Sequence, residues 1–191
     1  MSLKLVVAED EAIIRIDLVE LLEESGFDVV AQTGRGDDAV ALVEEHKPDL
    51  IVLDIKMPGL DGIAATSKIT DMQTTAILIL SAFSQQDLID QAQSAGAQGY
   101  LVKPFHKSEL VPAIETAYAR FKEKHFLDSI GDEDPASIKK SYGYAKALLM
   151  DEHSMNEKDA WTFIDEHLNS TDDASKVLTQ ITDGKLVPVS K

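Results

Sequence analysis

Three carboxylates, one hydroxyl and one lysine stand at the ends of short apolar runs in this sequence. Glu9 and Asp10 follow LKLVV (3–7), Asp54 closes LIVLD (50–54), Ser81 follows AILIL (76–80) and Lys103 closes GYLVK (99–103). If these runs are parallel strands of one sheet, all five residues meet at the carboxyl edge, where ligands of such sheets bind. Crowded carboxylates repel unless a cation joins them, and hard oxygen donors suit Mg²⁺, which keeps several of its waters. A lysine beside them can neutralise an incoming phosphoryl group, and a serine hydroxyl can donate to one of its oxygens. Asp54 is then the natural nucleophile, since carboxylates form acyl phosphates when positioned in line. Taken singly, each residue has a plainer account. Asp10 or Asp54 would be a helix cap or turn residue, and Lys103 a solvated lysine. Four strand ends with the right chemistry in the right order make the joint coincidence small.

The elements that must position these residues are legible as an alternation. A fifth apolar run, DVVAQT (28–33), joins the four above, and amphipathic segments of helical length fill the gaps. The segment from Ala12 to Ser25 places Ile13, Ile14, Leu18, Leu21 and Leu22 at helical spacing; Asp37–His46, Ile63–Thr70, Gln85–Ala95 and Lys107 onward read likewise. Fivefold strand–helix alternation predicts an α/β fold, a doubly wound five-stranded parallel sheet with right-handed crossovers. After it no strand-like run appears until LVPV near the end, and three helical segments are expected near 136–153, 157–169 and 171–183. Asn156 is a candidate N-cap facing Asp159, and Gly184 a candidate stop. The predicted division is 1–127, a linker at 128–135 with turn residues, acids and a proline, and a small all-α domain at 136–191.

Composition limits the partners. Among 191 residues there are 34 acidic and 18 basic ones, a formal charge of -16, which disfavours nonspecific binding to polyanions. No cysteine is present, so disulfides, thiolate metal sites and thiol nucleophiles are excluded. No segment approaches the roughly 18 uninterrupted apolar residues of a membrane span, and a soluble, cytoplasmic protein is expected.

Residues 3 to about 122 resemble the receiver domain of bacterial response regulators, a flavodoxin-like fold. The segment LIVLDIKMPGLDG carries the family's acceptor pattern, with Asp54 followed by Met57, Pro58, Gly59, Asp61 and Gly62, and LSAF and YLVKPF supply its other signatures. The resemblance implies that Mg²⁺ is held by Glu9 through water, by Asp10, by Asp54 and by the backbone carbonyl of Lys56. It implies that Ser81 and Lys103 bind phosphoryl oxygens, that Ala82 leaves room for them, that Lys103–Pro104 is cis, and that Tyr100 is the switch aromatic. A sensor histidine kinase is the implied phosphodonor. Phosphatases of the haloacid dehalogenase class also use an aspartate after a strand, but with a second acid two residues later, where Lys56 stands here. A phosphoacceptor with slow self-dephosphorylation is therefore expected rather than an enzyme.

Residues 136 to 183 resemble the ANTAR output domain, a three-helix RNA-binding module that relieves transcription termination. The matching positions are Ala145, Lys146, Leu148, Leu149, Met150, His153, Met155, Glu157, Ala160 and Phe163. The segment departs from the family at Ala147, at Leu168 and around Asp165, Glu166, Asp172 and Asp173, where small or basic residues are usual. From residue 121 onward 9 lysines face 14 acids, a net of -5. Candidate RNA contacts are Lys139, Lys140, Lys146 and Lys176, with Tyr142, Tyr144 and Trp161 as candidate stacking surfaces, although core packing is the better reading of Trp161. Apolar residues Leu110, Ile114, Ala117 and Phe121 continue at heptad-like spacing, so the helical segment that starts at Lys107 and its extension could pair two subunits as a homodimer. The expected function is a phosphorylation-switched antiterminator that binds hairpin RNA. The alternative is a regulator whose divergent tail binds a protein or DNA.

Overall fold

The computed structural model describes residues 2–129, 143, 145–151, 153, 155–168, 177, 180, 181, 183, 184, 186 and 188. It divides into two compact units, Met1–Phe121 and Lys122–Lys191.

In the first unit, β1 (Lys4–Ala8), β2 (Asp28–Thr33), β3 (Leu50–Asp54), β4 (Ala76–Ser81) and β5 (Gly99–Val102) form one sheet. All pairings are parallel and the order is β2-β1-β3-β4-β5. The helices are α1 (Ala12–Glu24), α2 (Gly36–His46), α3 (Gly62–Met72), α4 (Gln86–Ser94) and α5 (Lys107–Ser129), the last of which continues past Phe121, where the first unit ends. This is the doubly wound flavodoxin-like fold of the sequence reading, with element ends displaced by a residue or two.

Continuous apolar strands are stable here because side chains alternate between two covered faces. Leu5, Val7, Leu50, Val52, Leu78 and Leu80 pack with Leu18 and Leu22 of α1 and with Leu110, Ile114 and Ala117 of α5. Their neighbours Val6, Ala8, Ile51, Leu53, Ile77 and Ile79 pack on the opposite face with Ala39, Val43, Ala65, Ile69 and Ala92. A one-residue slip would exchange the two sets, so burial fixes the register. That register sets the site. Ala8 pairs with Leu53, Asp54 with Leu80 and Ser81 with Val102, so Glu9, Asp54, Ser81 and Lys103 arrive at the same edge.

In the second unit, residues 145–151 are helical (α6) and α7 spans Glu157–Leu168. Asn156 caps α7, its Oδ1 accepting from Asp159 N at 2.8 Å while its Nδ2 donates to Asp159 Oδ2 at 2.9 Å. Gly184 has φ +67 and donates its N–H to Ile181 O at 3.0 Å, as a helix stop does. Ala145, Leu149, Ala160, Trp161, Ile164, Val177 and Ile181 are buried. Asp128 and Ser129, placed in the linker by sequence, belong to α5, and 130–135 lie outside the described residues.

Candidate phosphoacceptor and metal site

Asp54 closes a fully buried strand and emerges into a loop that the chain fastens at several points. Its Oδ1 accepts from Ile55 N at 2.7 Å. Gly62 N donates to Ile55 O at 2.8 Å, and a methyl group on Gly62 would lie 2.1 Å from Asp54 O. Only glycine lets α3 begin so close to Asp54. Asp61 caps that helix, its side chain accepting from Ala64 N at 2.9 Å.

Glu9, Asp10 and Asp54 each offer a carboxylate oxygen, and these atoms lie within 4.8 Å of one another. Lys103 reaches into the cluster. Its Nζ lies 2.5 Å from Glu9 Oε2 and 3.1 Å from Asp54 Oδ2. Glu9 is wholly buried, Asp54 nearly so, and Asp10 is exposed at the mouth. Burial pushes the Glu9 carboxyl above its ordinary range, and the Asp54 carboxylate adds to this, while Lys103 offsets only part of it. For Lys103, burial alone would lower the ammonium, but Glu9 and Asp54 outweigh it and raise it. The Lys103 shift reports the negative charge gathered around it, and the Glu9 shift reports chiefly burial.

The other Glu9 oxygen, Oε1, is buried and has no hydrogen-bond partner. A buried carboxylate oxygen left so is costly unless a cation or its bound water meets it. An all-oxygen donor set with one orphaned oxygen and uncompensated charge is compatible with Mg²⁺.

Ser81 is buried beside the lysine strand, its carbonyl accepting from Lys103 N at 2.8 Å. Its Oγ accepts from Phe83 N at 3.1 Å, and the Phe83 carbonyl accepts from the Tyr100 hydroxyl at 2.7 Å. One residue thus joins the Ser81 hydroxyl to the Tyr100 hydroxyl. Ala82 is exposed between them. Lys56 is exposed, with its ammonium 4.2 Å from the centre of the Phe83 ring. The Lys103–Pro104 peptide is cis. Sequence reasoning quoted Phe83 only within LSAF and missed that its backbone serves both Ser81 and Tyr100. No side-chain signal could reveal it.

The family model for the response regulator receiver domain matches residues 5–115, more than half of the chain. The chain belongs to the response regulator receiver family. Transcriptional regulatory protein PdtaR of Mycobacterium tuberculosis is 46% identical over 165 residues, covering 84% of this response regulator and 80% of the relative. Chemotaxis protein CheY of Bacillus subtilis is 37% identical over 115 residues, 60% of this chain and 96% of that one. The signal receiver domain of NarL from Mycobacterium tuberculosis superposes with a TM-score of 0.59 at 31% identity, covering 61% of this chain and 96% of that domain. The likeness to PdtaR exceeds the 121 residues of the first unit and so runs into the second.

In that second unit, Lys146 Nζ pairs with Glu157 Oε1 at 2.7 Å and lies 5.6 Å from the centre of the Trp161 ring. Trp161 is buried at 4% exposure, which makes it a core residue and not a stacking surface. Lys139, Lys140, Lys176, Tyr142 and Tyr144 lie outside the described residues. No described helix is long and apolar enough to cross a membrane.

Proposed function

We propose that this response regulator takes a phosphoryl group on Asp54 from a sensor histidine kinase and so switches a helical tail that binds hairpin RNA and relieves transcription termination. An Asp54 carboxylate oxygen attacks phosphorus as the bond to the donor histidine nitrogen breaks, and that nitrogen keeps the electron pair and is protonated. Lys103 moves from its carboxylate partners toward the new phosphoryl oxygens, and Ser81 donates its hydroxyl to one of them. Glu9, Asp10, Asp54 and the Lys56 carbonyl would hold Mg²⁺, which supplies neutralising charge when bound. Water then hydrolyses the acyl phosphate slowly, with no external substrate turned over.

Drawing Ser81 toward the phosphoryl group disturbs the Phe83 backbone that also holds Tyr100. This gives phosphorylation a route to the surface around β5. Pairing of two chains through α5 and its extension would present two tails to tandem hairpins.

The observation that carries the RNA reading is the likeness to a transcriptional regulatory protein that continues into the tail. A second reading, in which the tail binds a protein, is favoured by the net charge of -5 beyond residue 120 and by the commitment of Lys146 to Glu157. Binding of the full chain to tandem RNA hairpins, measured against salt before and after acyl phosphate treatment, separates the two. The RNA reading expects tighter binding after treatment. Absence of binding at low salt in both states sinks it.

A further inference from the structure

Arg15 stands in the first turn of α1, and its half-buried guanidinium reaches back to donate to the main-chain carbonyl of Glu9. The N–H of the same residue donates to Thr33 O at 3.0 Å, so both polar groups of Glu9's backbone are held from outside its own strand. Gly34 closes the clamp. A methyl group in its place would lie 3.0 Å from Arg15 Nη1, 3.5 Å from Glu9 O and 3.6 Å from Asp10 Cα. The acidic turn is therefore wedged between α1 and the loop after β2.

We propose that Arg15, seated against Gly34, is a positioning residue that fixes the Glu9–Asp10 turn so that its carboxylates face the metal beside Asp54. This rests on the metal reading above. Three ligand oxygens within 4.8 Å demand close placement of a turn that has no regular secondary structure of its own. Groups that orient ligands from behind typically govern metal affinity as strongly as about 10-fold or more. A guanidinium suits the task because its planar fork is rigid and always charged.

The sign of the effect distinguishes positioning from charge. No described carboxylate forms a salt bridge with Arg15, so its positive charge acts on the acidic turn only at longer range. If Arg15 acted only as a nearby charge, removing it would tighten Mg²⁺ binding by lifting repulsion. If it positions the turn, removing it weakens binding.

Calorimetric titration of the full chain with Mg²⁺ reads this directly. Arg15→Met is expected to raise Kd about 10-fold. Gly34→Ala keeps every charge but displaces the guanidinium, and should raise Kd in the same direction by less. Arg15→Lys, which keeps one donor, should recover part of the loss. Thermal unfolding without Mg²⁺ identifies a variant that fails to fold, in which case Gly34→Ala decides. Tighter or unaltered binding in Arg15→Met, with wild-type binding intact, overturns the inference alone. A wild-type chain that binds no Mg²⁺ overturns the metal reading and this inference together.

Discussion

Two lysines show how differently the halves of this chain use charge. Lys103 is 15% exposed in its side chain and is shared between Glu9, whose side chain is fully buried, and Asp54, whose side chain is 10% exposed. Lys146 meets a Glu157 that is 49% exposed in its side chain. Water screens the second pair and barely reaches the first, so removing one partner is costly in the first unit and nearly neutral in the second. The Lys103 cluster is therefore held in place by the fold, whereas the Lys146–Glu157 pair can open at little cost.

The contrast breaks most visibly at the acceptor. Asp54→Asn keeps the shape of the site but removes the nucleophile, and Mg²⁺-dependent labelling by acyl phosphate should fall to background. Retained full labelling would mean that another carboxylate accepts the group. Next in size is Lys103→Met, which leaves the buried Glu9 carboxylate without its cation. It should cost about 3 kcal/mol in urea unfolding without Mg²⁺. Part of that cost should vanish in a Glu9→Gln background, because the one fully buried carboxylate is then neutral while Asp54 stays charged. A cost undiminished there would mean that packing of the lysine stem, not the Glu9 charge, holds the strand end.

The receiver was legible in the sequence because burial leaves so little freedom. LIVLD and AILIL cannot be half-solvated, so they had to be central strands, and a central parallel strand delivers its last residue to the ligand edge. What escaped were interactions made by the backbone. Neither the Arg15 grip on the Glu9 carbonyl nor the double service of Phe83 leaves a trace in residue type or spacing. The tail was less legible because its signal is a three-to-four-residue recurrence of small and apolar residues, which specifies packing and is silent on partners. Asn156 was readable, since a cap declares its own chemistry. Trp161 was readable as well, since its spacing favours core packing over a stacking surface, and it is buried.

A smaller effect tests whether the receiver's excess charge is a metal site. Mg²⁺ at ten times its Kd should add about 1.4 kcal/mol to the unfolding free energy by mass action. The gain should shrink in Glu9→Gln, which removes one ligand charge while leaving the core intact. An equal gain in Glu9→Gln would place the ion elsewhere.

The smallest stability effect lies in the tail and carries the functional question. Lys146→Met should change unfolding free energy by no more than about 0.5 kcal/mol, since an exposed pair contributes little and the stem can still lie against Trp161. That weakness is what makes Lys146 a usable contact, because leaving Glu157 for an RNA phosphate costs little. If it does so, Lys146→Met lowers the salt slope of RNA binding by about 1. Glu157→Gln, which frees the lysine, should tighten binding in the same assay. An unaltered slope in the first and unaltered affinity in the second would remove Lys146 from the interface, and any RNA contact would then fall to Lys139, Lys140 and Lys176.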